Sequence, residues 1–428
     1  MNVLEEQLMR FAHYCEMSSE TSGYLGGSRG SVAKGRLGMT ENATKAILAI
    51  AIATAMAVGA AGCSKPAEHE NRAYVVANVE GAAIDTTVAK SDIERAVEAN
   101  DFVGIVSAEG APSMVGNAGV VGSTSSSTPR RKSETDEWRA AVEQALADTI
   151  ADDPECDLLA AIGAARKCFN AESAYMGAPN RIVVFSSGFS TAGAIDMRDG
   201  MLFADPHDVI SFYADEMPDL SGVSIDWYNL GSTCAPQEEP TTSTKAVLAQ
   251  FWECVLVEGC GAKEVVFHDV NITGTSGGAM SYPAMTAVDL PELAKMQTPE
   301  VARGTSVKLD SQVLYFLPGQ AEFIDRDLAV QALRPYADAL LADGSLSVSI
   351  VGSTASDHDL DYLARLSTER AEATGKILQD MGVDSSRITC SGEGNWGNDH
   401  IYDWADSGET ELEPIAAAAN RHITLSFS

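Results

Sequence analysis

Gly352–Ala371 reads G-S-T-A-S-D-H-D-L-D-Y-L-A-R-L-S-T-E-R-A. It leaves L-S-V-S-I-V-G (Leu346–Gly352), which alternates as a half-buried strand, crosses an acidic loop and enters a helix. The helix is expected over Ser367–Met381, with Ser367 as its cap and Glu369 in its first turn. That puts Arg370 at the amino end of a helix, where backbone N–H groups and the helix dipole favour an anion. A guanidinium there can hold a carboxylate by a planar, two-pronged pairing. Because a buried unpaired charge is costly, Arg370 is expected to be exposed or partnered. A surface pairing with Glu372 or Asp359 is the plain alternative.

The neighbouring segments extend this unit. V-L-Y-F-L-P-G-Q-A-E-F (Val313–Phe323) reads as a strand leading to a loop, and Leu328–Ala342 as a helix with Leu333, Ala337, Leu340 and Leu341 at helical spacing. Arg387–Gly394 reads as a strand and turn, and His422–Phe427 as a closing strand. The expectation over 306–428 is a small α+β sandwich with helices on one face of a mixed sheet.

V-S-I-V-G-S-T, L-S-T-E-R-A, G-V-D-S-S-R-I-T-C-S-G-E-G and a late N-R before the last strand occur in that order. Together they resemble the OmpA-like peptidoglycan-binding domain. The resemblance implies a pocket for the free amino acid end of diaminopimelate in the peptide stem. In it a protein carboxylate takes the ammonium and an arginine takes the carboxylate. Arg370 falls on that arginine, and Thr354, Asn420 and Arg421 on further lining positions. The family aspartate is replaced by Ala355 and the asparagine before L-S by Leu363. Asp357 or Asp359 is therefore expected to serve as ammonium partner. G-E-G-N-W-G (Gly392–Gly397) fits a dinucleotide fingerprint in letters only, because it opens no helix.

Upstream, apolar strand runs alternate with helices. Strands are expected at Ala73–Val79, Phe102–Ser107, Arg181–Ser186, Val223–Leu230 and Glu264–His268. Helices are expected at Ser91–Asn100, Trp138–Ile150, Leu158–Phe169, Asp208–Glu216 and Ser243–Leu256, with Gly122–Glu134 a solvated loop. Such alternation implies a doubly wound parallel α/β sheet over 73–273. V-F-S-S-G-F-S-T-A-G (Val184–Gly193) and P-D-L-S-G-V-S-I-D-W-Y-N-L-G (Pro218–Gly231) resemble the von Willebrand factor A family, as in degenerate copies from actinobacterial envelope lipoproteins. The family's D-x-S-x-S metal motif is replaced by A-N-V-E-G (Ala77–Gly81), and Glu80 with Asp157 offers too few oxygens for a divalent cation. A metal-free scaffold without cofactor is expected. Glu80, Ser187 and Ser190 would lie nearest any site beyond the strand ends, although ordinary loop roles suit them as well.

A net charge of -32 disfavours nucleic acid as a partner. Ala46–Gly62 is uncharged, follows Lys45 and precedes Cys63; its seventeen residues would span about 25 Å as helix. A-A-G-C (Ala60–Cys63) resembles a bacterial lipobox, which implies lipidation at Cys63 and a tether over 63–72; a plain membrane anchor is the alternative. Met39 opens a normal n-region and is read as the translation start, against a long n-region carrying Arg29, Lys34 and Arg36. Six later cysteines permit disulfides, but Cys156 and Cys168 would stand about 18 Å apart on one helix, whereas Cys254 and Cys260 could meet at a turn. G-T-S-G-G (Gly274–Gly278) fits a nucleophile elbow at Ser276, but Pro283 and the lack of helical onset place it in a linker over 274–305. The reading is a non-catalytic, lipid-anchored envelope protein facing outside the cytoplasm and contacting a peptidoglycan stem peptide. The alternative is a protein–protein adaptor whose partner docks on the von Willebrand-like domain, with the OmpA-like fold a ligand-altered spacer.

Overall fold

The first strand, β1 (Asn71–Val76), is buried along its whole length. Its alternate residues enter two cores. Ala73 and Val75 pack with Leu158, Ile162 and Trp227, whereas Tyr74 and Val76 pack with Ile93, Val97 and Leu146. A strand apolar on both faces belongs in the middle of a covered parallel sheet. The computed structural model describes residues 69–79, 81–268, 287–290 and 301–428. After β1 come α1 (Lys90–Ala99), β2 (Phe102–Ser107), β3 (Ser113–Met114), β4 (Gly119–Val120), α2 (Thr128–Asp148), α3 (Leu158–Cys168) and β5 (Asn180–Phe185). Then follow α4 (Pro206–Phe212), β6 (Val223–Tyr228), α5 (Thr242–Cys254) and β7 (Glu264–His268). β1 pairs in parallel with β2 on one side and β5 on the other; β6 and β7 continue in parallel beyond β5. Short β3 and β4 close the β2 edge antiparallel. The strand order reverses direction at β1, which makes the sheet doubly wound, as expected.

Two boundaries differ from the sequence reading. The expected loop Gly122–Glu134 is half helix, because Pro129 suits the first turn of α2 and Arg130 pairs with Glu134 at 2.6 Å, one turn on. α4 starts at Pro206 rather than Asp208, with Asp205 accepting from the His207 N–H as cap.

The C-terminal unit runs β8 (Ser306–Asp310), α6 (Arg326–Ala342), β9 (Val348–Ser353), α7 (Leu360–Asp380), β10 (Ile388–Gly394), α8 (Pro414–Asn420) and β11 (His422–Phe427). Its sheet has the order β10-β9-β11-β8, with only β10 and β9 parallel. α6 and α7 pack Leu333, Tyr336, Ala371 and Leu378 against Leu309, Ile350 and Leu425 of the sheet. The expected strand at Val313–Phe323 is instead a loop closed by a single bridge between Phe316 and Phe323; Pro318 and the left-handed Gly319 interrupt it, and the edge strand is the earlier β8. The second helix also begins earlier. Asp359, not Ser367, caps it by accepting from the Tyr362 N–H at 2.9 Å, and Leu363, Leu366, Arg370 and Ala371 form its buried stripe.

Gly352 and Gly392 let α7 lie directly on β9 and β10: a Cβ at 352 would stand 2.1 Å from the Ser367 carbonyl oxygen, and one at 392 would stand 2.4 Å from the Thr368 nitrogen. The two sheets share packing. Tyr315 and Ala418 join the core of the first sheet, Tyr315 meets Phe203 edge-on at 6.3 Å, and Ser243 donates to Asp325. The six described cysteines are free thiols, so Cys254 and Cys260 do not pair. Met39, the apolar run 46–62, Cys63, Glu80, Ser276 and most of 274–305 lie outside the described residues. Among the described residues no helix is long and apolar enough to cross a membrane.

Gly352→Ala is expected to cost about 3 kcal/mol, since the neighbour it meets is backbone and cannot rotate away. A thermal melt compared with a Ser349→Ala control on the same strand checks this.

Candidate functional site

Arg370 sits in the third turn of α7, not at its amino end, so neither capping N–H groups nor the dipole act on it. The early start at Asp359 is the reason. The side chain is 6% exposed. Its Nε donates to the Gln320 carbonyl at 2.9 Å and its Nη2 reaches the Leu317 carbonyl at 3.5 Å. The guanidinium lies 5.1 Å over the Phe316 ring, which itself stacks on Phe323. The Pro318–Gly319 loop therefore wraps the arginine with carbonyls and an aromatic face. Among the described residues no carboxylate lies within ion-pair distance of it; Asp359 is occupied as a helix cap. Arg370 is thus buried without a counter-ion, contrary to the expectation that it be exposed or paired. Burial first, and the nearby Arg421 second, push its pKa down to about 10.

Arg421 follows α8. Its Nη2 donates to Asp208 Oδ2 at 2.6 Å and its side chain keeps 18% exposure. Burial works against this charge, but Asp208 and Asp205 outweigh it and raise the pKa. Its Nη1 is buried with no hydrogen-bond partner.

Both arginines line a cleft of about 710 Å³ together with Thr354, Ser356, Asp357, Tyr362 and, from the first sheet's side, Asp205, His207 and Asp208. A second, much narrower hollow adjoins it, sharing Asp205, Pro318, Arg370 and Arg421 and adding Tyr315, Phe316 and Ser353. Thr354 is held by its backbone N–H to Gly394, and its Oγ1 is buried without a partner. Asp357 stands at the exposed rim, where its Oδ1 accepts from the Asp359 N–H at 2.7 Å. Ala355 and Leu363 are buried and apolar, so the C-terminal unit offers no carboxylate at either position.

Of the expected lining residues, the structure brings Arg370, Thr354, Asp357 and Arg421 together. Asn420 is different. Its Nδ2 donates to the Ile401 carbonyl and Asp403, and its Oδ1 accepts from the Ile401 N–H, so its amide is spent bracing the loop before α8. The sequence reading missed Asp205 and Asp208. D-P-H-D carries the signal of a helix start, but nothing in it tells which distant arginine it will face.

On the first sheet, Ser190 donates to the Cys156 carbonyl and accepts from the Leu158 N–H, and Asp157 caps α3. Ser187 is buried. These groups serve the local fold.

The cleft therefore carries two guanidinium groups, with Asp208 paired to Arg421 and Asp205 held against His207, and is open to solvent. Residues 315–411 match the OmpA family, and the chain carries an OmpA-like domain at its C-terminus. Among solved structures, the periplasmic domain of Helicobacter pylori MotB is similar at 16% identity, covering 30% of this chain and 78% of that one, with a TM-score of 0.24. The peptidoglycan-associated lipoprotein from Burkholderia pseudomallei is 21% identical, over 27% of this chain and 88% of its own, with a TM-score of 0.22. An outer membrane protein from Borrelia burgdorferi B31 is 20% identical, over 29% and 90%, with a TM-score of 0.21. No curated protein matches the chain.

At the cleft wall, His207 Nδ1 meets Asp205 Oδ1 at 3.0 Å and Nε2 meets Glu258 at 3.2 Å. The Asp205 hydrogen bond, more than Glu258, raises the imidazole from its ordinary 6.5 to about 9. A raised value means that protonation stabilises the fold. The contribution is complete below about pH 6.5 and disappears as pH passes about 9. Melting curves from pH 6 to 10 are expected to show the wild type losing its advantage over His207→Gln across that window.

Proposed function

We propose that the OmpA-like domain contacts peptidoglycan by holding a free carboxylate of the stem peptide at Arg370 and Arg421. The observation that carries this reading is the buried Arg370 guanidinium, which lacks a carboxylate among the described residues and lies beside a second guanidinium. Asp208 answers Arg421, whereas the Arg370 charge has no such partner among the described residues, and a buried guanidinium without one favours an entering anion. A carboxylate entering the cleft would reach Arg370 Nη1, which has no hydrogen-bond partner among the described residues, by a charge-assisted hydrogen bond. The family match over 315–411 and the printed name of the Burkholderia relative support the same ligand class and a cell-envelope location. Binding alone accounts for these features, and the reading is of a non-catalytic protein.

The purified full chain is expected to sediment with isolated sacculi, and Arg370→Ala to lose most of that binding. Equal sedimentation of both proteins, or of neither, overturns the reading.

The A-A-G-C run before the soluble part supports a lipid anchor at Cys63, with the doubly wound domain as a von Willebrand-like unit between anchor and wall. Cys63→Ala is expected to abolish metabolic palmitate labelling and to release the protein from the membrane fraction. Unchanged labelling removes the lipoprotein assignment.

A further inference from the structure

We propose that Asp205 and Asp208, carboxylates of the doubly wound domain, receive an ammonium of the ligand, so that the cleft is one zwitterion site built by two domains. The inference rests on the reading that the arginines take a carboxylate, and adds to it the other half of the ligand and the domain that supplies it.

Three observations converge. The first is position. Asp205 and Asp208 line the same cleft as Arg370 and Arg421, and Asp205 also lines the adjoining hollow. Asp205 caps α4 and Asp208 lies in its first turn, more than a hundred residues upstream of the OmpA-like match.

The second is unused bonding capacity. The Arg421–Asp208 pair engages Nη2 and Oδ2, leaving Arg421 Nη1 buried and unpartnered. Asp205 accepts both its His207 bonds at Oδ1. Among the described residues nothing donates to Asp205 Oδ2 or to Asp208 Oδ1. Neither oxygen is sealed off, since the orphaned buried atoms do not include them. The cleft thus presents a spare donor at Arg370 Nη1, which has no partner among the described residues and is not one of the sealed atoms, and spare acceptors on its aspartates. An α-amino acid head group offers the complementary set, with a carboxylate for the donors and an ammonium for the acceptors.

The third is charge balance. Arg370, Arg421 and the protonated His207 balance Asp205, Asp208 and Asp357 along the cleft lining, so a neutral zwitterion enters without leaving net charge there. A diacid without amines, or an amine without the acid, would leave an uncompensated charge there. The site is therefore built to select an amino acid end over a simple acid.

The competing acid is Asp357 at the rim, whose Oδ1 is already engaged by the Asp359 N–H. Asp403 faces inward and accepts from the Ser356 N–H and Asn420.

The test is calorimetric titration of the full chain with diaminopimelate and with its N,N′-diacetyl derivative, which keeps both acids and loses both ammonium charges. Wild type is expected to bind diaminopimelate about tenfold or more tightly than the acetylated probe. Asp205→Asn with Asp208→Asn is expected to weaken diaminopimelate binding by a similar factor and to leave the acetylated probe nearly unchanged. Asparagine keeps the helix cap at 205, and a melting curve verifies folding; should the double variant not fold, Asp208→Asn alone is read the same way. Retained or tighter diaminopimelate binding in the variant overturns the inference, the tighter result meaning that the acids merely plug the arginines. Loss in Asp357→Asn with none in the upstream pair overturns it as well. Absence of wild-type binding, or an indifferent Arg370→Ala, removes the carboxylate reading itself and this inference with it.

Discussion

A buried positive charge without its own counter-charge organises the C-terminal half of this protein. Arg370 gives up water for two backbone carbonyls and the face of Phe316. Carbonyl dipoles and a ring quadrupole satisfy part of a guanidinium, but they do not neutralise it. The loop around Pro318 and Gly319 has to fold over the arginine to supply those contacts, and that same loop forms the lip of the cleft. The position of α7 on the sheet matters equally. Only with glycine at 352 and 392 does the helix come close enough to set Arg370 against the loop.

The cleft is also where the two sheets meet. Tyr315 packs on Phe203, Arg421 pairs with Asp208, and Ser243 donates to Asp325. A ligand held there would touch both halves. Binding and the docking of the halves would then be coupled, since anything that favours the bound arrangement also favours the docked one. On the first sheet the described cysteines are free thiols, and Asp157 and Ser190 serve the start of α3.

Much of the architecture was legible in the residues. The β-branched runs at 71–76, 102–107, 180–185 and 223–228 are the parallel strands, because a doubly covered strand must be apolar on both faces. The motif order over 346–421 led to the OmpA-like domain. The failures share one cause. Ser367 looks like a good helix cap, yet it lies inside α7, because Asp359 caps better and the stripe from Leu363 onward has a face to bury. Val313–Phe323 looks like a strand, yet its apolar side chains pack the loop around Arg370. Local propensity fell short there because tertiary burial was worth more than the local preference.

By itself, the sequence determined the two layered units, the location of the OmpA-like motifs and the identity of the arginine at their centre, since periodicity and motif spacing are local properties of a chain. Only the tertiary structure decided that Arg370 is buried and lacks an acid among the described residues, that Asn420 turns inward, and that Asp208 pairs with Arg421 while Asp205 lines the same cleft. Those are facts about groups far apart in the chain. Their charges interact through space, and no local pattern records which distant acid will face a given arginine.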